Sequence, residues 1–153
     1  SFTTFDGVAK NRIVRLNPNG STDASFAIGT GVDGVIECVM IQNDGKILIG
    51  GQFTKFNGID RKYLARLNAD GSLEPDFDTS SGFNSHVYSL GIQSDGKILV
   101  GGNFTSYKLN PKNYFVRLNS DASIDESFLT TGTNNIVYKV LISNEDKILS
   151  IFK

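Results

Sequence analysis

A nine-residue stretch occurs twice in this chain almost unchanged. Lys46 to Thr54 reads Lys-Ile-Leu-Ile-Gly-Gly-Gln-Phe-Thr, and Lys97 to Thr105 reads Lys-Ile-Leu-Val-Gly-Gly-Asn-Phe-Thr. The surrounding residues keep the same phase. Arg15-Leu16-Asn17 returns as Arg66-Leu67-Asn68 and Arg117-Leu118-Asn119, and Phe26 returns as Phe77 and Phe128. The period is 51 residues between the first two units and one residue less in the third, where Lys147 takes the place of Lys97. A repeat of that length constrains the fold more than any other feature, because each unit is one supersecondary module that buries its apolar face against its neighbours.

Each unit reads as strands. Val39 and Ile41, Leu90 and Ile92, and Val140 and Ile142 alternate with variable neighbours, the period-2 signature of a strand. Asp44-Gly45 and Asp95-Gly96 follow, which predicts a two-residue hairpin with φ > 0 at both turn positions. A second strand is expected over Ile47 to Ile49, Ile98 to Val100 and Ile148 to Ile151. A third is expected over Arg12 to Leu16, Tyr63 to Leu67 and Tyr114 to Leu118. After the turns at Asn19-Gly20, Asp70-Gly71 and Asp121-Ala122, a short fourth ends at the repeated Phe. No segment carries a sustained helical period. Four antiparallel strands in about 50 residues is the arithmetic of an all-β propeller blade. A parallel β-helix is the rival, but it has shorter coils and needs no Asp-Gly hairpin in each. We therefore read residues 1–153 as one β-propeller repeat domain of about three blades, with units of approximately 2–52, 53–103 and 104–153.

The ends fall in register. Ser1 and Lys153 both stand at the place of Gln52 and Asn103, so the chain opens with strands three and four of a blade and finishes with strands one and two. Three blades are fewer than the roughly four to eight that close a ring. The expectation is an incomplete ring, either part of a longer propeller or one shared between copies. The last unit departs from the pattern: Gly50-Gly51 and Gly101-Gly102 become Ile151-Phe152, and Asp-Gly becomes Glu145-Asp146.

The unit Gln-x-Asp-Gly-Lys-Ile-Leu-Ile-Gly-Gly-x-Phe-Thr, followed by Arg-Leu-Asn-x-Asp-Gly-Ser-Leu and Asp-x-x-Phe, resembles the delta-60 repeat family. That resemblance covers nearly the whole chain. It implies propeller-like blades in bacterial surface, secreted or phage proteins, an extracellular, cell-surface or virion setting, and an interaction role. It brings no catalytic residue.

Charge and composition narrow the function. Fifteen basic against sixteen acidic side chains give a net charge of -1 and no electrostatic case for nucleic acid. No apolar run approaches the ~20 residues of a membrane helix. A single cysteine, Cys38, rules out an internal disulfide framework, and a single histidine, His86, rules out a multi-histidine metal site in one chain. Neither a phosphate loop nor a nucleophile elbow is present, and no cofactor is implied.

The residues that could carry function each have a structural reading beside the functional one. Arg15, Arg66 and Arg117 could ring an anion, but every unit also supplies an acid (Asp23, Glu74, Asp125), which favours an ion pair. The stretch from Asn68 to Glu74 superficially resembles an oxygen-rich calcium loop, yet Asx with Gly is also what a tight turn requires. The aromatic pairs Phe2 and Phe5, Phe53 and Phe56, and Phe104 and Tyr107 could be platforms for sugar or protein, or buried packing. Gly50, Gly51, Gly101 and Gly102 lie inside strands, where Gly marks close backbone approach. His86 has no catalytic motif around it, and Cys38, at a polar position of the repeat, reads as an incidental, partly exposed thiol. The connections at 29–34, 80–85 and 131–135, with Asp33, Phe83, Asn84 and Asn134, are the candidate binding loops, because they vary while the strands repeat. The expectation is a non-catalytic interaction or scaffold module for a protein partner or surface attachment. The alternative is a lectin-like propeller that uses loop aromatics.

Overall fold

The computed structural model describes residues 4, 5, 7–9, 11–130 and 132–152. Phe2, Thr131 and the two terminal residues used to read the chain's phase lie outside them. The described strands are β1 (Thr4–Phe5), β2 (Val8–Ala9), β3 (Ile36–Ile41), β4 (Ile47–Gly51), β5 (Lys55–Phe56), β6 (Ile59–Asp60) and β7 (Leu64–Leu67). They continue with β8 (Val87–Ile92), β9 (Ile98–Gly102), β10 (Ser106–Tyr107), β11 (Asn110–Pro111), β12 (Phe115–Leu118), β13 (Val137–Ile142) and β14 (Ile148–Phe152). No helix occurs among the described residues, so none is long and apolar enough to cross a membrane. The all-β architecture expected from the repeat is present.

Two units form three-stranded antiparallel sheets of identical order, β3-β4-β7 and β8-β9-β12, and the third contributes the pair β13-β14. Strands β3, β8 and β13 are the first of each unit and lie side by side, so the sheets stack like blades around an axis lined by these inner strands. Among the described residues no hydrogen-bonded ladder joins the blades, and they do not close into a ring.

Three strand-level expectations are corrected. The fourth strand is reduced to single bridges, Leu16 to Thr22, Leu67 to Leu73 and Leu118 to Ile124. The third strand begins one residue late, because Tyr63 and Tyr114 adopt φ of 66° and 63°. Each is held there by two backbone bonds to its own blade: the Tyr63 N–H donates to the Phe53 carbonyl, and the Gly51 N–H donates to the Tyr63 carbonyl. In the first unit, residues 12–15 have no strand partner among the described residues.

The Asp-Gly turns also differ from expectation. The Gln42 N–H donates to the Lys46 carbonyl at 2.8 Å and the Gly45 N–H to the Gln42 carbonyl at 2.9 Å. Only Gly45, at φ 83°, is left-handed. This is a three-residue connection ending in one left-handed position, with Asp44 accepting from the Lys46 N–H. The two-residue turn occurs elsewhere, in small hairpins not foreseen from the sequence. Asn57 and Gly58 (φ 49° and 78°) join β5 to β6, and Lys108 and Leu109 (φ 46° and 67°) join β10 to β11.

The core sits between blades. Leu48 and Leu64 of one sheet pack with Leu90, Ile98, Val100, Val116 and Leu118 of the next, all buried. Phe53, Phe56, Phe77, Phe83, Phe104 and Tyr107 are essentially fully buried, each worth about 2–3 kcal/mol of transfer free energy. Gly101 sets the spacing of a seam: a Cβ there would lie 2.5 Å from Val137 Cγ1 in the following blade. Gly101→Ala is therefore expected to cost about 2 kcal/mol by overpacking, read as a lower urea midpoint with an unchanged m-value. An unchanged midpoint would mean the blades are not seated this closely.

Candidate binding face

The strand directions sort the connections onto two ends of the blades. One end carries the turns at 42–46, 68–72, 93–97, 119–123 and 143–147. The other carries the connections leading into the inner strands, together with the small hairpins β5-β6 and β10-β11.

At the turn end, the repeated polar residues are committed to one another. Arg15 Nε pairs with Asp23 at 2.8 Å, Arg117 Nε with Asp125 at 2.8 Å, and Arg66 Nε with Glu74. Each guanidinium also lies over the repeated phenylalanine, 4.8 Å from the Phe26 centroid and 4.3 Å from those of Phe77 and Phe128. A lysine from the second strand joins two of the acids: Lys46 reaches Glu74 at 2.6 Å and Lys97 reaches Asp125 at 3.2 Å. The third donor crosses the seam, since Arg66 Nη1 donates to the Ser120 carbonyl at 2.5 Å and Arg15 Nη1 donates to that of Ala69. The arginines are thus ion-paired structural residues, as the repeated acids indicated.

The same end carries the stretch that resembles a calcium loop. Asp70 Oδ1 accepts from the Ser72 N–H and hydroxyl, at 2.9 and 2.6 Å, and Asp121 repeats the pattern with Ser123. These carboxylates serve turns. No group of three or more His, Cys, Asp or Glu side chains is placed to hold a metal ion among the described residues. The hydrogen bonds of Ser127, with Lys97 and Arg117, hold the Asp125 carboxyl far below the usual range. Burial pushes the Glu74 carboxyl up, but Arg66 and Lys46 outweigh it and leave it lowered.

At the loop end, three of the four candidate loop residues are already occupied. Asp33 accepts from the N–H groups of Thr54 and Lys55 at 2.7 and 2.9 Å and from the Thr54 hydroxyl. Asn84 Oδ1 accepts from the N–H groups of Thr105 and Ser106 at 2.9 and 3.1 Å, and its Nδ2 donates to the Thr105 hydroxyl oxygen at 2.8 Å. Both fasten a connection to the small hairpin of its own blade. Phe83 is 1% exposed, its ring 4.4 Å from Phe104 and 4.5 Å from Tyr107. It is a core residue and cannot serve as an open platform, a correction to its reading as a binding residue, and buried Phe56 is corrected with it. Asn134, at the same place in the third unit, is exposed. Cys38 is half-buried, in keeping with a partly exposed thiol. It packs against the next blade, and burial pushes its thiol up to about 12.

The sequence reading missed the rings that do reach this face. The pairing of each inner strand slips at its start, between Ile36 and Cys38, Val87 and Ser89, and Val137 and Tyr138's neighbour Lys139. The extra residues at these bulges are Glu37, Tyr88 and Tyr138, re-aimed as bulges do. Tyr88 and Tyr138 stack at 5.4 Å with planes 5° apart, His86 lies 6.1 Å from Tyr88, and Tyr63 lies 5.8 Å from His86. Rings from two blades and the inner strand of the third thus form one partly exposed row, with Glu37 at the corresponding place beside it. His86, which stands alone in sequence, has aromatic neighbours on both sides. The recurrence of Tyr88 as Tyr138 was the available signal.

Acid should loosen the turn end. Carboxylates with lowered folded pKa values contribute stability that is complete above the ordinary carboxylate range, about pH 4–4.5, and lost as pH falls through their folded values. Wild type should hold its urea midpoint down to about pH 4.5 and lose it below. Glu74→Gln should be destabilised by about 3 kcal/mol at pH 7, because Arg66 is left buried without its partner. Its midpoint should then depend less on pH in the acid range. An unaltered acid profile would show that Glu74 is not stabilising as an anion.

The comparisons agree with this geometry. No curated protein matches the chain. One family profile, the domain of unknown function (DUF5122) beta-propeller, matches residues 1–26, 42–77 and 93–128. The three segments end at Phe26, Phe77 and Phe128, the phenylalanines beneath the repeated arginines, and together cover more than half of the chain. The chain belongs to this β-propeller family.

Proposed function

We propose that the chain is a non-catalytic propeller module that binds a protein partner through its loop end, as a scaffold or attachment element of a larger surface assembly. The observation that carries this reading is the exposure of two leucines in the loop-end connections, Leu109 at 92% and Leu129 at 95%. Leu109 stands at φ 67° in a turn whose counterpart holds Gly58, so a large apolar side chain is displayed at a position that disfavours one. Exposed aliphatic groups with a tyrosine row suit a protein surface, where such residues form the buried centre of a contact. The repeated polar residues of the blades have internal roles, which leaves the variable face for recognition. The Gln-x-Asp-Gly-Lys motif with its Gly-Gly-x-Phe-Thr continuation supports the finer assignment to delta-60 repeats. An extracellular, cell-surface or virion location is part of the same proposal.

A second reading, a carbohydrate-binding propeller, is favoured by the Tyr63–His86–Tyr88–Tyr138 row rather than by Phe83 or Phe56. Tyrosine faces of this kind stack on sugar rings.

The two readings separate in one binding experiment. The immobilised chain is offered the surface-protein fraction of its source and, separately, a glycan array. A protein retained by wild type and weakened at least about tenfold by Leu109→Asp with Leu129→Asp supports the first reading. A glycan signal abolished by Tyr88→Ala and untouched by the leucine changes supports the second. Binding that none of these substitutions alters would place recognition away from the loop end and overturn both.

A further inference from the structure

In an asparagine–glycine pair the glycine nitrogen can attack the asparagine side-chain amide with little hindrance, because glycine has no side chain to shield it. The chain has two such pairs, Asn19-Gly20 and Asn57-Gly58, and the structure sets them apart. Asn57 closes the β5-β6 hairpin, and a second segment holds it there. Its N–H donates to the Gly31 carbonyl at 2.8 Å, and its Oδ1 accepts from the Gly31 N–H at 2.9 Å and from the Thr30 hydroxyl at 3.1 Å. The side chain sits so close to this connection that a Cβ at Gly29 would lie 2.8 Å from its Oδ1. Turning the Asn57 amide onto the Gly58 nitrogen breaks these contacts together.

Asn19 is held by its own turn. Its Oδ1 accepts from the Ser21 N–H at 3.0 Å and the Ser21 hydroxyl at 2.7 Å, and its Nδ2 has no partner among the described residues. The Gly20 N–H donates to the Asn17 carbonyl at 2.9 Å, and the Asn17 N–H donates to the Ser21 carbonyl at 2.8 Å. Residues 17–21 are all exposed, so opening this turn frees the Gly20 nitrogen without disturbing the core. The other units show what the turn accepts. Asp70 and Asp121 stand at the place of Asn19 and take the same two bonds from Ser72 and Ser123. Ala122 stands at the place of Gly20, with φ 68° against 86°. Asp70 and Asp121 are exposed as Asn19 is, so the openness of the tip belongs to the repeat.

We infer that Asn19 is a site of spontaneous deamidation to aspartate and that Asn57 is shielded from the same reaction. The Gly20 nitrogen gives its proton to hydroxide and bonds to Asn19 Cγ. The Cγ–Nδ2 bond then breaks, ammonia leaves with a proton from water, and a five-membered succinimide closes. Water opens that ring at Cγ to give aspartate, or at the main-chain carbonyl to give isoaspartate, which adds a carbon to the backbone. Aspartate brings the first turn to the carboxylate of the other two units and gives the turn end one more negative charge. The inference is independent of the loop-end reading.

The test is peptide mapping by mass spectrometry after the folded chain has stood in mildly alkaline buffer, with a sample kept unfolded in urea beside it. In the folded chain, the peptide holding Asn19 should acquire the mass of an acid in place of an amide about tenfold faster than the peptide holding Asn57. In urea the two rates should converge, which assigns the difference to the fold. Gly20→Ala should slow the reaction at Asn19 about tenfold. Asn19→Asp should keep the urea midpoint of the wild type, because the turn already accommodates aspartate in two units. Equal rates in the folded chain, a faster reaction at Asn57, or no reaction at Asn19 would each overturn the inference. So would a rate at Asn19 that Gly20→Ala leaves unchanged, or a lowered midpoint for Asn19→Asp.

Discussion

The blade architecture rests on one side-chain arrangement, an arginine clasped by an acid from the adjoining strand and laid on a phenylalanine. In the middle unit, Arg66 uses three of its capacities at once. Nε pairs with Glu74, the guanidinium plane covers Phe77, and Nη1 donates across the seam to the Ser120 carbonyl. A lysine could supply the charge but not the planar fork, so the identity of the residue follows from the geometry. The ion pair is buried, with Arg66 at 7% and Glu74 at 8% exposure, and a buried pair stabilises only when its remaining donors are satisfied. The lysine and the seam carbonyl satisfy them. This couples the short third strand, the turn after it and the next blade.

The same coupling explains why the two ends of the blades differ. The turn end is fixed by groups that recur in every unit, and its Asx residues complete their own turns. At the loop end, Asp33 and Asn84 repeat a structural task, that of pinning the small hairpins. The remaining positions vary: Gly58 against Leu109, Glu37 against Tyr88 and Tyr138, Asp78 against Leu129. A rigid repeat whose loop end differs from unit to unit fits the scaffold role proposed above.

Most of the fold was legible because the repeat prints the strands in phase and supplies both members of each ion pair. The φ values of Tyr63 and Tyr114 were not, since a tyrosine flanked by strand residues carries no local mark of a left-handed backbone; tertiary bonds to Phe53, Gly51, Phe104 and Gly102 impose it. The Asp-Gly turns misled for a related reason: Asp44 needs no positive φ when its side chain caps the Lys46 N–H. At the candidate site, Phe83 looked open because it lies in a Gly- and Asn-rich loop, but the hairpin that Asn84 fastens folds over it. The aromatic row was hidden because its members, Tyr63, His86, Tyr88 and Tyr138, are drawn together by bulges and blade stacking that sequence spacing does not register.

Hydrogen exchange tests most directly the claim that neighbouring blades are locked together through these arginines. The account predicts that the amides of β7, β8, β9 and β12 open as one cooperative unit, with the same free energy and the same dependence on denaturant. Replacing Arg66 with Lys should split that unit in two. If β7 already opens separately from β8 and β9 in the wild type, the arginine is not what joins the blades.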